Sequence, residues 1–292
     1  MTVLSVANEV ADLFGLPTLT TIVGSTNDTA RKILATINDI GREIRDRHAW
    51  PELHRSHTVT LVAGQASYAL PGDHDRWVSE TGWNTSRTQP IAFPTGPAEW
   101  NLLKYGASTP TLLDTIRVYG ATDRPLFITP TPTSANAGQV IALEYISSNW
   151  IRPKTWTTAT VFAASAYCFY NGNYYQTTAG GTTGATPPTH TTGSSSDGAV
   201  TWTYYSSPYS FSDDRDTFII DETVLAAGAL YLFAENNGMQ FASHQRRFEE
   251  KLLRAKMKKK GSKPLDLNAR AFAASISSIS SVAIPYGSWS ST

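Results

Sequence analysis

The stretch that decides the fold is DETVLAAGALYLFAENNGMQFASHQRRFEEKLLRAKMKKKGSK, residues 221–263 of the 292-residue chain. Its apolar residues recur at alternating spacings of three and four, which builds one apolar stripe along a helix and requires a partner surface. The stripe consists of Val224, Ala227, Tyr231, Ala234, Phe241, Phe248, Leu252 and Ala255. Asn236, Asn237 and Gly238 form a turn signal at its centre, which is compatible with two helices or with one kinked helix. The unbroken phase of the stripe favours the kink.

The far face of this stretch becomes strongly basic toward its end. Only Glu249 and Glu250 oppose the run, whose candidate contact residues are Arg246, Arg247, Lys251, Arg254, Lys256, Lys258, Lys259 and Lys260. Such a run can contact DNA phosphates or an acidic protein surface, or it can be a solvated helix face. The whole chain has 24 Lys plus Arg and 24 Asp plus Glu. This balance disfavours a dedicated nucleic-acid binder, so an acidic protein partner ranks first.

A second amphipathic helix is predicted near the N-terminus. Ser25 or Asn27 can cap it, and Trp50 followed by Pro51 ends it. Its apolar face consists of Ala30, Ile33, Ile37, Ile40 and Ile44. A shorter helix before it is predicted to be capped by Ser5.

Helical ends with β-rich sequence between them predict an α+β fold, in which the N- and C-terminal helices form a bundle and an antiparallel β domain carries a small all-β insertion. The predicted division assigns residues 1–57 and 209–263 to the bundle, 58–153 to the β domain, 154–208 to the insertion, and 264–292 to an extended C-terminal arm.

Within the β region, residues 58–71 (TVTLVAGQASYALP) alternate around Gly64 and Gln65, which predicts a hairpin. Pro97 marks the start of a short helix. Three further strands are predicted in LLDTIRVYG, RPLFITPTP and GQVIALEYISSNW.

The insertion has almost no charge and is rich in Thr, Ser, Gly, Tyr and Pro. It carries two aromatic strand signals, separated by a long loop. The aromatic rings could stack on a glycan, or they could form the core of a very small domain, which is the commoner role. The candidate glycan-stacking residues are Tyr174, Tyr175, Trp202 and Tyr204.

The last segment, residues 264–292, has no charged side chain after Arg270 and no helical stripe. Its scattered apolar residues cannot build a core, yet it is more apolar than an ordinary solvated tail. It is therefore predicted to be an arm that orders on a partner, with a disordered end as the alternative. Its candidate docking residues are Phe272, Ile276, Ile279, Val282, Ile284, Tyr286 and Trp289.

The sequence contains no recognisable catalytic, cofactor-binding or metal-binding motif, so no enzyme activity, cofactor or metal is expected. The acidic runs at 73–75 and 213–216 could hold a cation, although loop solvation or charge complementarity at a helix N-terminus explains them more simply. The single cysteine, Cys168, is predicted to be a buried thiol. No apolar run reaches membrane-spanning length, and no membrane contact is expected.

Several segments together resemble the head-to-tail adaptor proteins of tailed bacteriophages, the class that includes tail tubular protein A of short-tailed phages. They are VGSTNDTARKILATINDIGREIRDRHAWPEL, TVTLVAGQASYALPGDHDRW, TGWNTSRTQPI, ALEYISSNWI and SDDRDTFIIDETVLAAGALYLFAENNGMQFASHQRRFEEKLLRA. The insertion, with YNGNYYQTTAGGTTGATPPTH and DGAVTWTYY, is similar to small modules of phage structural proteins that are often supposed to bind carbohydrate.

The resemblance implies a non-enzymatic virion protein that forms a ring of about twelve subunits. Such a ring joins the portal protein to the tail nozzle protein at the head-tail interface, after assembly in the host cytoplasm. Genomic DNA passes through its lumen without sequence-specific binding, and the arm docks into the portal. The alternative function is a carbohydrate-binding structural tail protein that serves attachment to the host surface.

Overall fold

The computed structural model describes residues 1–78, 80–93, 96–105, 115–120, 125–205, 208 and 210–260. Five helices and sixteen strands lie in this part of the chain, and every strand pairing within its sheets is antiparallel, so the predicted α+β class is confirmed. The helices are α1 (Val3–Leu13), α2 (Asp28–Asp46), α3 (Pro97–Tyr105), α4 (Glu222–Asn236) and α5 (Ala242–Lys260).

The helices α1, α2, α4 and α5 share one hydrophobic core. The α4 sequence is apolar around its whole circumference, as expected for a helix surrounded by others. It packs against α1, α2 and α5. Gly228 allows the closest approach, since a Cβ there would lie 2.4 Å from Ile40 Cγ1 on α2 and 2.9 Å from Phe248 Cε2 on α5.

The described part of this stretch, residues 221–260, forms two helices, and the expectation of a kinked helix was wrong. Gly238 has a φ of +66°, a left-handed conformation that ends α4. The chain then reverses, so that Tyr231 stacks on Phe248 with ring centroids 6.1 Å apart, and Lys251 Nζ donates to the Thr223 carbonyl. The two halves of the stripe therefore face each other in an antiparallel helical hairpin.

The N-terminal helices are capped by side chains. Asn27, one of the two predicted candidates, caps α2. Its side-chain oxygen accepts hydrogen bonds from the backbone N–H groups of Thr29 and Ala30. The N-cap of α1 is Thr2, so the prediction of Ser5 was wrong. Ser5 is instead the donor in two hydrogen bonds to Thr2: its backbone N–H donates to the Thr2 hydroxyl, and its own hydroxyl donates to the Thr2 carbonyl over 2.7 Å.

The β region contains two sheets. Its strands are β1 (His54–Thr60), β2 (Ser67–Tyr68), β3 (His74–Trp77), β4 (Trp83–Asn84), β5 (Gln89–Pro90), β6 (Thr115–Val118), β7 (Leu126–Thr129) and β8 (Val140–Ser147). One sheet has the order β1-β8-β4-β5 with β3 also paired to β8, and the other has the order β2-β7-β6. The short helix α3 and the three strands β6, β7 and β8 lie where the sequence predicted them. Buried apolar residues of the two sheets and the segments next to them form a second core.

The predicted hairpin around Gly64 does not form. The strand before the turn pairs with β8, and the strand after it pairs with β7, so the two enter different sheets. Two hydrogen bonds that are not part of strand pairing hold the turn itself. Gly64 N–H donates to the Pro132 carbonyl, and Val62 N–H donates to the Tyr68 hydroxyl, 2.9 Å away.

The insertion contains β10 (Val161–Phe162), β11 (Tyr167–Tyr170), β12 (Asn173–Thr177), β13 (Gly181–Thr182), β14 (Ser194–Asp197) and β15 (Val200–Tyr205). Four of these strands form a sheet of order β11-β12-β15-β14. Phe162, Cys168, Tyr175 and Trp202 belong to its own small core. Burial raises the pKa of the Cys168 thiol to about 12, so the cysteine is a buried thiol as predicted.

Two short strands close the base of the insertion. They are β9 (Ile151–Arg152) and β16 (Thr217–Phe218), which pair with each other.

The predicted boundary at 57/58 falls inside β1, because that strand continues from the bundle into the sheet without a break. The other domain boundaries stay a prediction, and the arm, 264–292, lies outside the described residues.

Candidate interaction surface

The outer face of α5 is defined here as Arg246, Arg247, Leu253, Arg254, Met257 and Lys258. Leu253 and Met257 lie one helical turn apart and are 54% and 63% exposed. The opposite side of the helix carries Phe248, Leu252 and Ala255, which are buried in the bundle. Two large apolar side chains are thus presented to solvent on the side of α5 that faces away from its own core.

The cationic side chains of this face surround the apolar pair. Arg247, Arg254 and Lys258 are exposed, and Arg246 is exposed while its Nε donates to Glu250 Oε1 over 3.1 Å. An exposed i,i+4 pair of this kind contributes only a few tenths of a kcal/mol, so Arg246 can exchange Glu250 for another acceptor at small cost. Lys256 is half-exposed at the margin, and the side chain of Lys260 lies outside the described part of the structure.

Lys259 points into the bundle, which corrects its prediction as a contact for an outside partner. Its Nζ forms an ion pair with Glu52, donates to the Ile220 carbonyl over 2.7 Å and lies 5.4 Å from the centre of the Trp50 ring. These contacts hold the end of α5 against the chain that precedes β1 and α4.

Lys251 is also engaged within the chain. Its Nζ donates to the Thr223 carbonyl in the first turn of α4, 3.2 Å away. Helical spacing contains the signal for both lysines. Lys259 continues the alternating spacing of the buried Phe248, Leu252 and Ala255, and Lys251 lies three residues from Phe248 and four from Ala255, so both lie on the buried side of α5. The remaining basic residues keep their predicted role as candidates.

The aromatic residues of the insertion divide into two groups. Trp202 and Tyr175 are fully buried. Trp202 packs edge-on to Phe162 with centroids 4.9 Å apart, and the Tyr175 hydroxyl donates to the His190 carbonyl. Neither ring leaves a face for a sugar, which corrects those two predictions. Tyr174 and Tyr204 line a cavity between the insertion and the β region and remain candidates.

The carboxylates of the acidic run 213–216 accept hydrogen bonds from backbone N–H groups. Asp214 Oδ1 accepts from the N–H groups of Ile22 and Val23, both 3.0 Å away, and so fixes the loop before α2. Asp216 is fully buried and accepts from the N–H groups of Lys154, Ser212 and Asp213. Burial raises its pKa to about 6 although these hydrogen bonds oppose the shift.

Sequence reasoning missed both roles because the partners of these carboxylates lie up to 192 residues away.

Within the described residues, no group of three or more histidine, cysteine or acidic side chains is placed to hold a metal ion. The helices of that same part all lack the combination of length and apolar content that a membrane span needs.

Comparison with known proteins identifies the class of the chain. No curated protein matches it. The family model described as SU10 adaptor protein matches residues 1–167. The matched region includes α1, α2, both sheets of the β region and the beginning of the insertion, whereas α4 and α5 lie beyond it. The match covers 167 of the 292 residues, and the chain therefore belongs to the SU10 adaptor protein family, a class of phage structural proteins that interact with other components of the virion.

Proposed function

We propose that the protein is a head-to-tail adaptor of the kind represented by tail tubular protein A. It forms a ring of about twelve subunits between the portal and the tail nozzle. The observation that carries this proposal is the outer face of α5, which is exposed, basic and apolar, and which is followed in the sequence by segment 264–292, where no charged residue occurs after Arg270. The helix, its basic face and the arm act in sequence on the portal side of the ring.

The composition of the outer face favours a protein partner over DNA. A surface that binds only phosphates gains little from exposed Leu253 and Met257, because DNA backbone contacts are electrostatic. A protein interface instead combines a desolvated apolar centre with a charged rim, and arginine is enriched in such interfaces. We therefore assign this face to an acidic surface of the portal that also has an apolar pocket.

The β region provides candidates for contacts between neighbouring subunits and with the nozzle. Trp83, Leu102 and Tyr105 are large apolar side chains that are exposed on this region. In a closed ring, each subunit uses two different surfaces for its two neighbours, so such residues need not match each other. Genomic DNA passes through the lumen without sequence-specific contacts, in keeping with the chain's net charge of zero.

Native mass spectrometry of the full chain, alone and with the purified portal protein of the same phage, tests the assembly. A complex of about twelve copies on the portal is expected. A stable dimer that does not bind the portal protein would overturn the proposal. In the virion, labelling should place the protein at the head-tail interface, and before assembly it should be found in the host cytoplasm.

Variants of the outer face test the assigned surface. The double change Leu253→Ser with Met257→Ser, and separately Arg254→Glu, should each weaken portal binding about tenfold or more, as for residues near the centre of an interface. Lys32→Glu is the matched control, because Lys32 is an exposed lysine on α2. If the apolar double variant binds the portal normally but Arg254→Glu weakens binding to duplex DNA, the face contacts DNA and the portal assignment fails.

A further inference from the structure

A cavity of about 460 Å³ lies at the seam between the insertion and the β region. On the β side it is lined by Arg55, His57, Asp73 and Tyr145, and on the insertion side by Tyr174 and Tyr204. Its size falls within the range of pockets that enclose small ligands, about 300–1,000 Å³. The seam cavity is separate from the outer face of α5 and has no part in the proposed contact with the portal.

The charged groups of the seam cavity are held by hydrogen bonds within the protein. Arg55 Nη1 donates to the carbonyls of Glu52 and His54, at 3.0 and 2.9 Å. Asp73 accepts from the Tyr145 hydroxyl at 2.9 Å and from the Ser147 hydroxyl at 2.6 Å. One cation and one anion, each satisfied by fixed partners, leave little net field to select a phosphate or a metal ion.

His57, Tyr145 and Tyr174, which also line the cavity, are uncharged near pH 7. Burial lowers the pKa of His57, which keeps its imidazole neutral near pH 7. Burial raises the pKa of Tyr174 to about 12 and also raises that of Tyr145, so both phenols keep their protons. Phenolic hydroxyls both donate and accept hydrogen bonds, and their rings offer apolar surface beside them.

A neutral ligand with many hydroxyl groups suits this combination better than an ion or a purely apolar molecule. Such a ligand can exchange hydrogen bonds with the hydroxyls of Tyr174 and Tyr204 while its C–H faces contact the rings. The Tyr145 hydroxyl already donates to Asp73, so it can only accept from the ligand. Tyr174 is 7% exposed, so a ligand can reach only a small part of its side chain. Tyr204 is half-buried and presents more of its side chain.

We propose that the seam cavity is a binding site for a saccharide of one or two rings, held by Tyr174 and Tyr204 from the insertion and by the β1 and β8 side chains opposite them. Binding at the seam involves both parts of the chain, so the site is absent from an isolated insertion. The proposal stands independently of the ring, because its residues belong to neither α4 nor α5.

Saturation-transfer NMR and calorimetry on the full chain test the proposal. The probes are glucose, galactose, rhamnose, N-acetylglucosamine, lactose and maltose, with inorganic phosphate as the charged comparison. Tyr174→Phe and Tyr204→Phe each remove one hydroxyl and keep the ring. Each should weaken binding of the saccharide that binds the wild-type protein by roughly three- to tenfold, the value of one hydrogen bond.

Tyr170→Phe is the matched control, because Tyr170 lies on the same sheet, packs against Trp156 and does not line the cavity. It should leave saccharide affinity unchanged, and circular dichroism should show that all three variants are folded. The proposal is overturned if none of the saccharides binds, if phosphate binds in their place, or if the two cavity variants bind the saccharide as tightly as the control.

Discussion

Replacing Gly228 with alanine should destabilise the helical bundle, although alanine is the better helix former. Gly228 lies in the middle of α4, at the point where α2 and α5 both approach it. The added Cβ would lie 2.4 Å from Ile40 Cγ1 and 2.9 Å from Phe248 Cε2. Both distances are well below normal van der Waals contact between carbon atoms. The substitution therefore forces at least one neighbouring helix to move.

Two opposing contributions set the magnitude of the change in unfolding free energy. Alanine in a helix interior is more stable than glycine by about 1 kcal/mol. Overpacking a core costs about 1–3 kcal/mol, and the upper part of this range applies here because Ile40 is branched at Cβ and cannot easily turn its Cγ1 away. The expected net result is a loss of about 1–2 kcal/mol.

Urea unfolding followed by circular dichroism and by tryptophan fluorescence measures this loss from the shift in midpoint at constant slope. A double-mutant cycle with Ile40→Ala identifies the clash. Ile40→Ala alone should cost about 2–5 kcal/mol because it leaves a cavity. In the double variant the added methyl group enters that cavity, so the total loss should be smaller than the sum of the single losses by about 1 kcal/mol or more.

Gly238→Ala provides the matched control, since a Cβ there meets nothing within 4 Å and the cost comes only from its φ of +66°. Its loss of about 1 kcal/mol should add to that of Ile40→Ala without coupling. A Gly228→Ala protein that is as stable as the wild type would refute the close approach of the three helices. Additive losses for Gly228→Ala and Ile40→Ala would refute the assignment of the clash to Ile40.

Three further predictions concern single polar contacts. Asn27→Ala should cost about 1 kcal/mol through loss of the α2 N-cap, and Asn27→Ser should recover most of it in the same unfolding assay. Lys259→Met should cost about 1–3 kcal/mol because it leaves Glu52 and the Ile220 carbonyl without their charged partner, whereas Lys258→Met, on the exposed side, should change stability by less than about 0.5 kcal/mol. Asp216 has a folded-state pKa of about 6, above its unfolded value, so the native state binds the proton more tightly. Its contribution is therefore greatest below about pH 4, and roughly 3 kcal/mol is lost as the pH rises through 6. Unfolding curves at pH 4 to 7 should show this loss relative to Asp216→Asn, which cannot titrate; parallel pH profiles would contradict the raised pKa.

Helical periodicity was sufficient to predict α2 and the two halves of the 221–263 stretch, because a stripe such as Ile33, Ile37 and Ile40 is a local property of the sequence. The pairing of strands was not predictable in the same way. Alternation around Gly64 identifies extended chain, but the partners of β1 and β2 are β8 and β7, which lie some 60 to 90 residues further along. Period-two patterning contains no information about which distant strand completes a ladder.

The candidate surface could be predicted in composition but only partly in orientation. A run of basic residues gives the charge of a helix, whereas its spacing from the buried stripe gives the side on which each residue lies. Lys251 and Lys259 share the side of Phe248 and Ala255, and Arg254 and Lys258 do not. Two of the four glycan candidates, Tyr175 and Trp202, failed for a related reason, since alternation in β15 places Trp202 on the inner side of a sheet that must build its own small core.

The position of the insertion follows from contacts at its base. Thr217 pairs with Arg152, and the buried Asp216 carboxylate holds the N–H groups of Lys154 and Ser212, so the entering and leaving chains are fixed side by side. Ile151 and Phe218, next to these contacts, belong to the core of the bundle. Because the ends meet on the bundle, a module can occupy the space between them without changing the packing of α2, α4 and α5. A saccharide site at the seam and a portal contact on α5 are therefore physically independent, and a loss of one function need not alter the other.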